Sequence, residues 1–541
     1  MPYQPHPVKA PRLSGAALRA FAAIAGAPGI GGLVRAQMLE QFGIARFRGA
    51  RTDAAPGTWM WTPPQAPEEP DVAALIAAPH AQAGFRFPSV GDYLDAYRTG
   101  RVDPVEVARA VLAARAKHAD LRTFIAMDEA DLVAQAEASH RRWQAGEPRP
   151  LEGVPVAVKD ELDQTPYPTT VGTAFLGRSP AAADATVVAR LRAAGALLIG
   201  KTNMHELGLG VTGINPHHGA ARNPYDPTRV TGGSSSGVAA AVAAGFCPVA
   251  IGADGGGSIR IPASLCGVVG LKATFGRVSE HGAAPLCWSV AHVGPIGAYV
   301  RDVAAVYALT SGPDPLDPGT IGHPALRADL GERGPLRVGI DRAWAGSADG
   351  QVAEACRALV DALGCEVVPV ELPDPDLVRL AHTVTIVGEM AAVRLAWPDA
   401  ALGADVALNF LLAQGLTAAD YVHAQRLRAD LARRWRAVFD HVDVIASPAT
   451  GCTAPPINPG AEDAGESDIV TLDRIMRFAT PGNLFGLPAI SVPAGYDGDG
   501  LPIGLQLMGR PFEEHVLLRL AAACEAKVER RAPKALAGIL G

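Results

Sequence analysis

Several things are missing from this 541-residue chain, and each absence excludes a class of protein. No run reaches the ~18–20 unbroken apolar residues that a bilayer-spanning helix needs. The seven cysteines, Cys247, Cys266, Cys287, Cys356, Cys365, Cys452 and Cys524, are scattered and form no CxxC pair. That argues against a zinc knuckle or a disulfide framework and fits a reducing cytoplasm. Most lie in apolar stretches and read as small buried hydrophobes. Basic residues are outnumbered, 48 Lys and Arg against 55 Asp and Glu, for a formal net charge of −7. With no clustered basic surface in view, a nucleic-acid partner is not expected. The opening MPYQPHPVKAPRLSG is Pro-rich and polar where a secretory signal would be charged and then apolar. No HExxH occurs, and no lysine follows the glycine runs as a phosphate-binding loop requires, so neither a metal nor another cofactor is expected. His205 and Glu206, in NMHELG, read as structural polar residues; His217 and His218 lie in a loop with no assigned role.

What is present is core material: hydrophobic residues make up 48% and charged residues 19%. Three regions divide the chain. Residues 1–50 hold two amphipathic helical patterns, SGAALRAFAAIAG and GGLVRAQMLEQFGIARF, with a turn at APG. Such helices cannot bury their apolar stripes alone. They pack on the main domain or a second subunit, or they serve as a membrane contact or a lid over an apolar entrance. Residues 51–86, containing APGTWMWTPPQAPEEP, read as an extended connector. From residue 87 to 541 the composition is globular and reads as one domain.

There, Asp103 and Pro104 mark a helix start. GVPVAVKD, ALLIGKTN, CPVAIGAD, RVGID, EVVPVEL, DVIASPA and AISVPAG read as strands. DATVVARLRAAG, closed by Gly195, and the small-residue GVAAAVAAGF read as helices between them. The alternation implies an α/β fold: a large mixed, mostly parallel sheet with helices on both faces. No 20–50-residue period points to a repeat architecture.

Two glycine-rich loops carry the chemistry. TGGSSSG precedes a helix and contains Ser234, Ser235 and Ser236. DGGGS, from Asp254 through Gly255, Gly256 and Gly257 to Ser258, follows an apolar strand. Glycines before a serine expose backbone N–H groups, as an oxyanion hole requires, and place the serine as a nucleophile. The same loop could instead be a plain connecting turn. A nucleophilic serine needs a base. The fourteen histidines offer no Ser/His/Asp order, and no GxSxG elbow surrounds Ser258. Lys159 stands at the end of GVPVAVKD. A lysine buried there would lose preference for its charged form and become a base; a lysine left at the surface would not.

The two glycine loops, the 24-residue separation of Ser234 from Ser258 and the upstream Lys159 resemble the amidase signature family. The likeness spans about residues 88–530 and includes TPGNLFGLPAISVPAG and GLPIGLQLMGRPF. It implies a Ser-Ser-Lys triad: Ser258 attacks, Ser234 relays a proton, and a neutral Lys159 accepts it. It also implies a cis Gly233–Ser234 bond, an oxyanion hole of the N–H groups of Gly255, Gly256, Gly257 and Ser258, and supporting roles for Ser235, Arg260 and Asp254. KTNMHELGLGVTG, the triple serine and the N-terminal helices are further similar to the plant-type fatty acid amide hydrolases. That likeness implies a small-molecule amide with a hydrophobic acyl group, such as an N-acylethanolamine. It places Gly208 near the wall of the substrate channel, and it implies a homodimer, cytoplasmic or peripheral at a membrane. An aryl acylamidase or a carbamate hydrolase is the alternative within the family. A glutaminase subunit of an amidotransferase fits less well, because that subunit has no such N-terminal extension.

Overall fold

The structure is a computed structural model that describes residues 3, 11–52, 70–78, 83–331, 334–397 and 401–540. Its centre is an eleven-stranded sheet. In chain order the strands are β1 (Phe124–Ala126), β2 (Pro155–Lys159), β3 (Leu197–Thr202), β4 (Val249–Ala253), β5 (Val269–Lys272) and β6 (Val293–Gly297). They continue with β7 (Arg337–Ile340), β8 (Glu366–Pro369), β9 (Val444–Pro448), β10 (Ala489–Tyr496) and β11 (Pro502–Gly509). Across the sheet they run β8-β7-β9-β11-β10-β5-β6-β4-β2-β3-β1.

The seven strands read from the sequence all form, but the expectation of a mostly parallel sheet does not hold. Four of the ten ladders are parallel and six are antiparallel. The sequence reading lacked β1, β5, β6 and β11, and every ladder these strands make is antiparallel. VGLK, VGPIG and PIGLQLMG, all buried, carry the Gly and Pro that usually punctuate strands. The glycines serve packing here. A Cβ on Gly270 would lie 2.8 Å from Ala263 Cβ, and one on Gly294 would run into the carbonyl of Leu271.

The parallel trio β4-β2-β3 builds the site. Val156, Ala157 and Val158 of β2 pair with Val249, Ala250 and Ile251 of β4, and both strands are fully buried. Their carboxyl ends therefore lie side by side, where ligands bind in open α/β sheets. The helix Ser236–Ala243 packs across these strands with all eight residues buried. Its small side chains permit a close approach; a Cβ on Gly237 would collide with the Thr123 carbonyl.

The N-terminal region forms α1 (Gly15–Gly26), α2 (Ile30–Gln41) and a short α3 (Ile44–Gly49). The first two meet at a bend of 110°. Leu18, Ala25 and Met38 bury against Ala404, Leu408 and Leu412 of the helix Ala404–Ala413. The helices thus dock on the main domain of their own chain. Most of the connector at 51–86 lies outside the described residues. Within it, Val72–Ala77 is helical and buries Leu75 and Ile76 in the main core. Asp103 caps Pro104–Lys117 in a capping box with Glu106, as its sequence position suggests.

Candidate active site

Lys159 ends β2 with its side chain 1% exposed. Its Nζ donates to Ser234 Oγ at 2.8 Å and to the Ala253 carbonyl at 3.2 Å, and it lies 2.7 Å from Glu161 Oε2. Three oxygens from three different residues thus surround the one nitrogen.

Ser234 sits between Gly233 and Ser235 at the entry to Ser236–Ala243, and the Gly233–Ser234 peptide is cis. Ser235 N–H donates to the Ser258 carbonyl at 3.3 Å, tying the two serine loops together. Ser235 Oγ donates to Ala253 O at 3.1 Å, so this hydroxyl holds the loop against β4. Ser258, 5% exposed, lines the same cavity as Lys159 and Ser234. Among the described residues its hydroxyl has no protein hydrogen-bond partner. Gly208, at φ +66°, closes one side, and a Cβ there would lie 3.5 Å from both Ser234 Oγ and Leu286 Cδ1.

Asp254 and Arg260 stand behind the glycine loop as a fully buried ion pair at 3.0 Å. Burial alone would push the Asp254 carboxyl up. The Arg260 and Lys272 charges and the bond from Asn483 outweigh it and hold the carboxyl far below its usual range. Asp254 Oδ1 accepts the Gly257 N–H at 2.6 Å, and Oδ2 accepts the Ile259 N–H at 3.1 Å. Gly257 is therefore removed from the expected set of oxyanion donors, because its single proton is already bonded. The N–H groups of Gly255, Gly256 and Ser258 have no acceptor among the described residues.

The cavity over these groups has a volume of about 150 Å³. One wall is the sheet end just described. The facing wall is mostly apolar and comes from three separate stretches: Gln41 and Phe42 at the end of α2; Thr383, Ile386, Val387 and Met390 on the helix Pro375–Arg394; and Ile469, Leu472 and Met476 on Ile469–Met476. Arg379 and Asp473 form an ion pair at 3.3 Å on this wall. A second, smaller cavity of about 60 Å³ shares Phe42, Leu209 and Leu472 with the first and is lined also by Phe21, Met38 and Leu408.

Three features were missed from sequence. Glu161 follows Lys159 by two residues, the spacing at which extended-chain side chains share a side, so the KDE run carried a signal. The Pro375–Arg394 wall and its His382 carried no local signal, since an apolar helix looks alike over a core or a cavity. Glu206 bonds His217 at 2.7 Å and accepts the Gly403 N–H, and His205 lies 3.3 Å from Asp405. His217 and His218 do not line the cavity. Among the described residues no cluster of three or more His, Cys, Asp or Glu is placed to hold a metal.

Residues 106–518 match the family model described as Amidase. The chain is 39% identical to a fatty acid amide hydrolase of Medicago truncatula over 97% of this chain and 94% of that one. It is 37% identical to the Arabidopsis thaliana protein of the same name over 97% and 94%. A glutamyl-tRNA(Gln) amidotransferase subunit of Roseiflexus is 37% identical over 80% of this chain and 95% of its own. Among solved structures, the peptide amidase of Stenotrophomonas maltophilia superposes with a TM-score of 0.68 at 30% identity, covering 82% of this chain and 98% of that one. The chain belongs to the amidase family and is an amide hydrolase.

Proposed function

We propose that the enzyme hydrolyses amides with a long apolar acyl group through an acyl-enzyme on Ser258. The observation that carries this reading is the 2.8 Å bond from buried Lys159 to Ser234 at the floor of a cavity whose far wall is apolar. With Lys159 neutral, its lone pair takes the Ser234 hydroxyl proton as Ser234 takes that of Ser258. Ser258 Oγ bonds to the carbonyl carbon, and the negative charge gathers on the carbonyl oxygen beside the free N–H groups of Gly255, Gly256 and Ser258. The proton returns through Ser234 to the leaving nitrogen, the C–N bond breaks, and water attacks the ester by the same relay. Asp254 and Arg260 hold the loop and touch no substrate atom.

The acyl group is assigned to the wall of Phe42, Ile386 and Leu472 and to the second, smaller cavity. Coverage supports the choice: the fatty acid amide hydrolases match through the N-terminal helices, whereas the amidotransferase protein matches over 80% of the chain. Ile24, Ile30 and Leu33 stay exposed at the α1–α2 bend, the largest of them 75% exposed. They support this hairpin as the face that meets a second copy or a membrane surface. No single described helix is long and apolar enough to cross a membrane.

A fluorophosphonate probe tests the nucleophile. It labels Ser258 in the active enzyme; labelling of another serine alone would sink the mechanism. A hydrolysis panel of acyl amides of graded chain length, with aryl amides and carbamates alongside, tests the substrate. The rate rises with acyl length if the reading is right, and a preference for aryl amides or carbamates overturns it.

A further inference from the structure

The backbone of the oxyanion loop is held at both ends and bare in its middle. Before it, Asp254 N–H donates to His292 O at 2.7 Å. After it, Gly257 N–H donates to Asp254 and the Gly257 carbonyl accepts from Ile261 at 2.7 Å. Between these anchors lies the Gly255–Gly256 peptide, flanked by the two residues with the widest conformational freedom. Among the described residues it has one hydrogen-bond partner, the imidazole of His382, whose Nε2 is 2.7 Å from the Gly255 carbonyl.

We propose that His382 is a positioning residue: its Nε2–H pins the Gly255 carbonyl and so aims the Gly256 N–H at the oxygen that becomes negative when Ser258 attacks. The inference rests on the reading of Ser258 as nucleophile.

A carbonyl can only accept, so the proton on this contact belongs to Nε2. The C=O and N–H of a trans peptide point in opposite directions, and fixing one fixes the other. The imidazole is fully buried, and burial lowers its proton affinity to about 4, so at neutral pH it is an uncharged donor. Among the described residues its Nδ1 has no partner, which leaves the ring one polar contact to make. The fit is close. A Cβ on Gly256 would come within 2.9 Å of His382 Cε1, and one on Gly255 within 2.8 Å of Cys287 Sγ. The loop thus carries no side chains that could replace the anchor. His382 itself is carried on the helix that also presents Ile386 and Met390 to the cavity. The wall that would receive the acyl chain and the peptide that would receive the negative charge are parts of one rigid contact.

The test compares two isosteres, His382→Gln, which keeps an N–H donor at similar reach, and His382→Met, which has none. Each is measured for kcat and KM on a medium-chain acyl 4-nitroanilide, for the rate of fluorophosphonate labelling with the labelled peptide identified, and for thermal unfolding. The methionine variant loses about 30–100-fold in kcat and in labelling rate, with KM within about threefold, because a misaimed donor weakens transition-state binding alone. The glutamine variant recovers most of both. A methionine variant with wild-type kcat, or a glutamine variant as slow as methionine at equal folded stability, overturns the role. If His382→Met does not fold, His382→Leu serves in the same comparison. Wild-type enzyme that is not labelled at Ser258 overturns the nucleophile assignment instead, which keeps the two failures apart.

Discussion

On one side of the cavity, Lys159, Ser234 and Ser258 stand at the ends of buried strands and on loops of glycine and serine, with Lys159 beside Glu161 and Arg260 paired to Asp254. On the other, α2, Pro375–Arg394 and Ile469–Met476 contribute apolar side chains from three segments far apart in the chain. The sheet wall is held by directional bonds: Asp254 alone joins Gly257, Ile259, Arg260 and Asn483. The helical wall is held by packing, which is less directional and tolerates substitution of similar volume. The difference teaches that the sheet wall depends on individual atoms, while the helical wall depends on the shape left between helices; under the proposed function these are the reaction and the choice of acyl group.

Four substitutions would sharpen or break this comparison. The largest effect falls on the sheet wall. Lys159→Ala lowers the acylation rate by about 10³-fold and flattens its rise with pH, since the group that must be neutral is gone. An unchanged pH–rate profile in that variant refutes the base assignment. Next, Arg260→Met leaves Asp254 as an unpaired buried charge and costs about 3–5 kcal/mol of stability, read by denaturant unfolding. A loss below about 1 kcal/mol would show that the Asp254 network does not hold the loop.

On the helical wall, Phe42→Ala lowers kcat/KM about tenfold for a long-chain acyl amide and much less for a short one, the scale of losing one large apolar contact. Deleting residues 1–50 produces the same bias. Equal losses for long and short chains would make the N-terminal helices purely structural. The smallest effect concerns pH. His382 takes up protons less readily folded, near pH 4, than unfolded, near 6.5. Its contribution is fully present above about pH 6.5 and is lost as the pH falls from there toward 4. Unfolding measured at pH 7.5 and pH 5 therefore shows a drop that is shallower in His382→Gln, by at most about 2 kcal/mol. Identical pH slopes would mean that the imidazole is already charged or accessible in the folded enzyme.

The sheet wall was largely legible before the structure. GVPVAVKD, TGGSSSG and DGGGS combine strand patterning with local chemistry, and the backbone puts such loops at strand ends. Even so, local reading left Lys159 open between a buried and a surface lysine. The structure buries it: β2 is buried along its whole length, and among the described residues its last side chain meets Ser234, Ala253 and Glu161. Gly257 shows the converse, since nothing in GGG says which of the three N–H groups Asp254 takes.

Direction in the sheet was not legible either. Strands β5, β6 and β11 look like loops because their glycines serve close packing against neighbouring elements. Sequence by itself determined the candidate groups Lys159, Ser234 and Ser258, the strand series around them and the amphipathic N-terminal helices, because these are encoded within a few residues of one another. The tertiary structure alone decided the antiparallel strands, the apolar wall, the docking of α1 and α2 and the bond from His382 to Gly255. Each of those is a contact between segments far apart in the chain, settled only when the whole core packs.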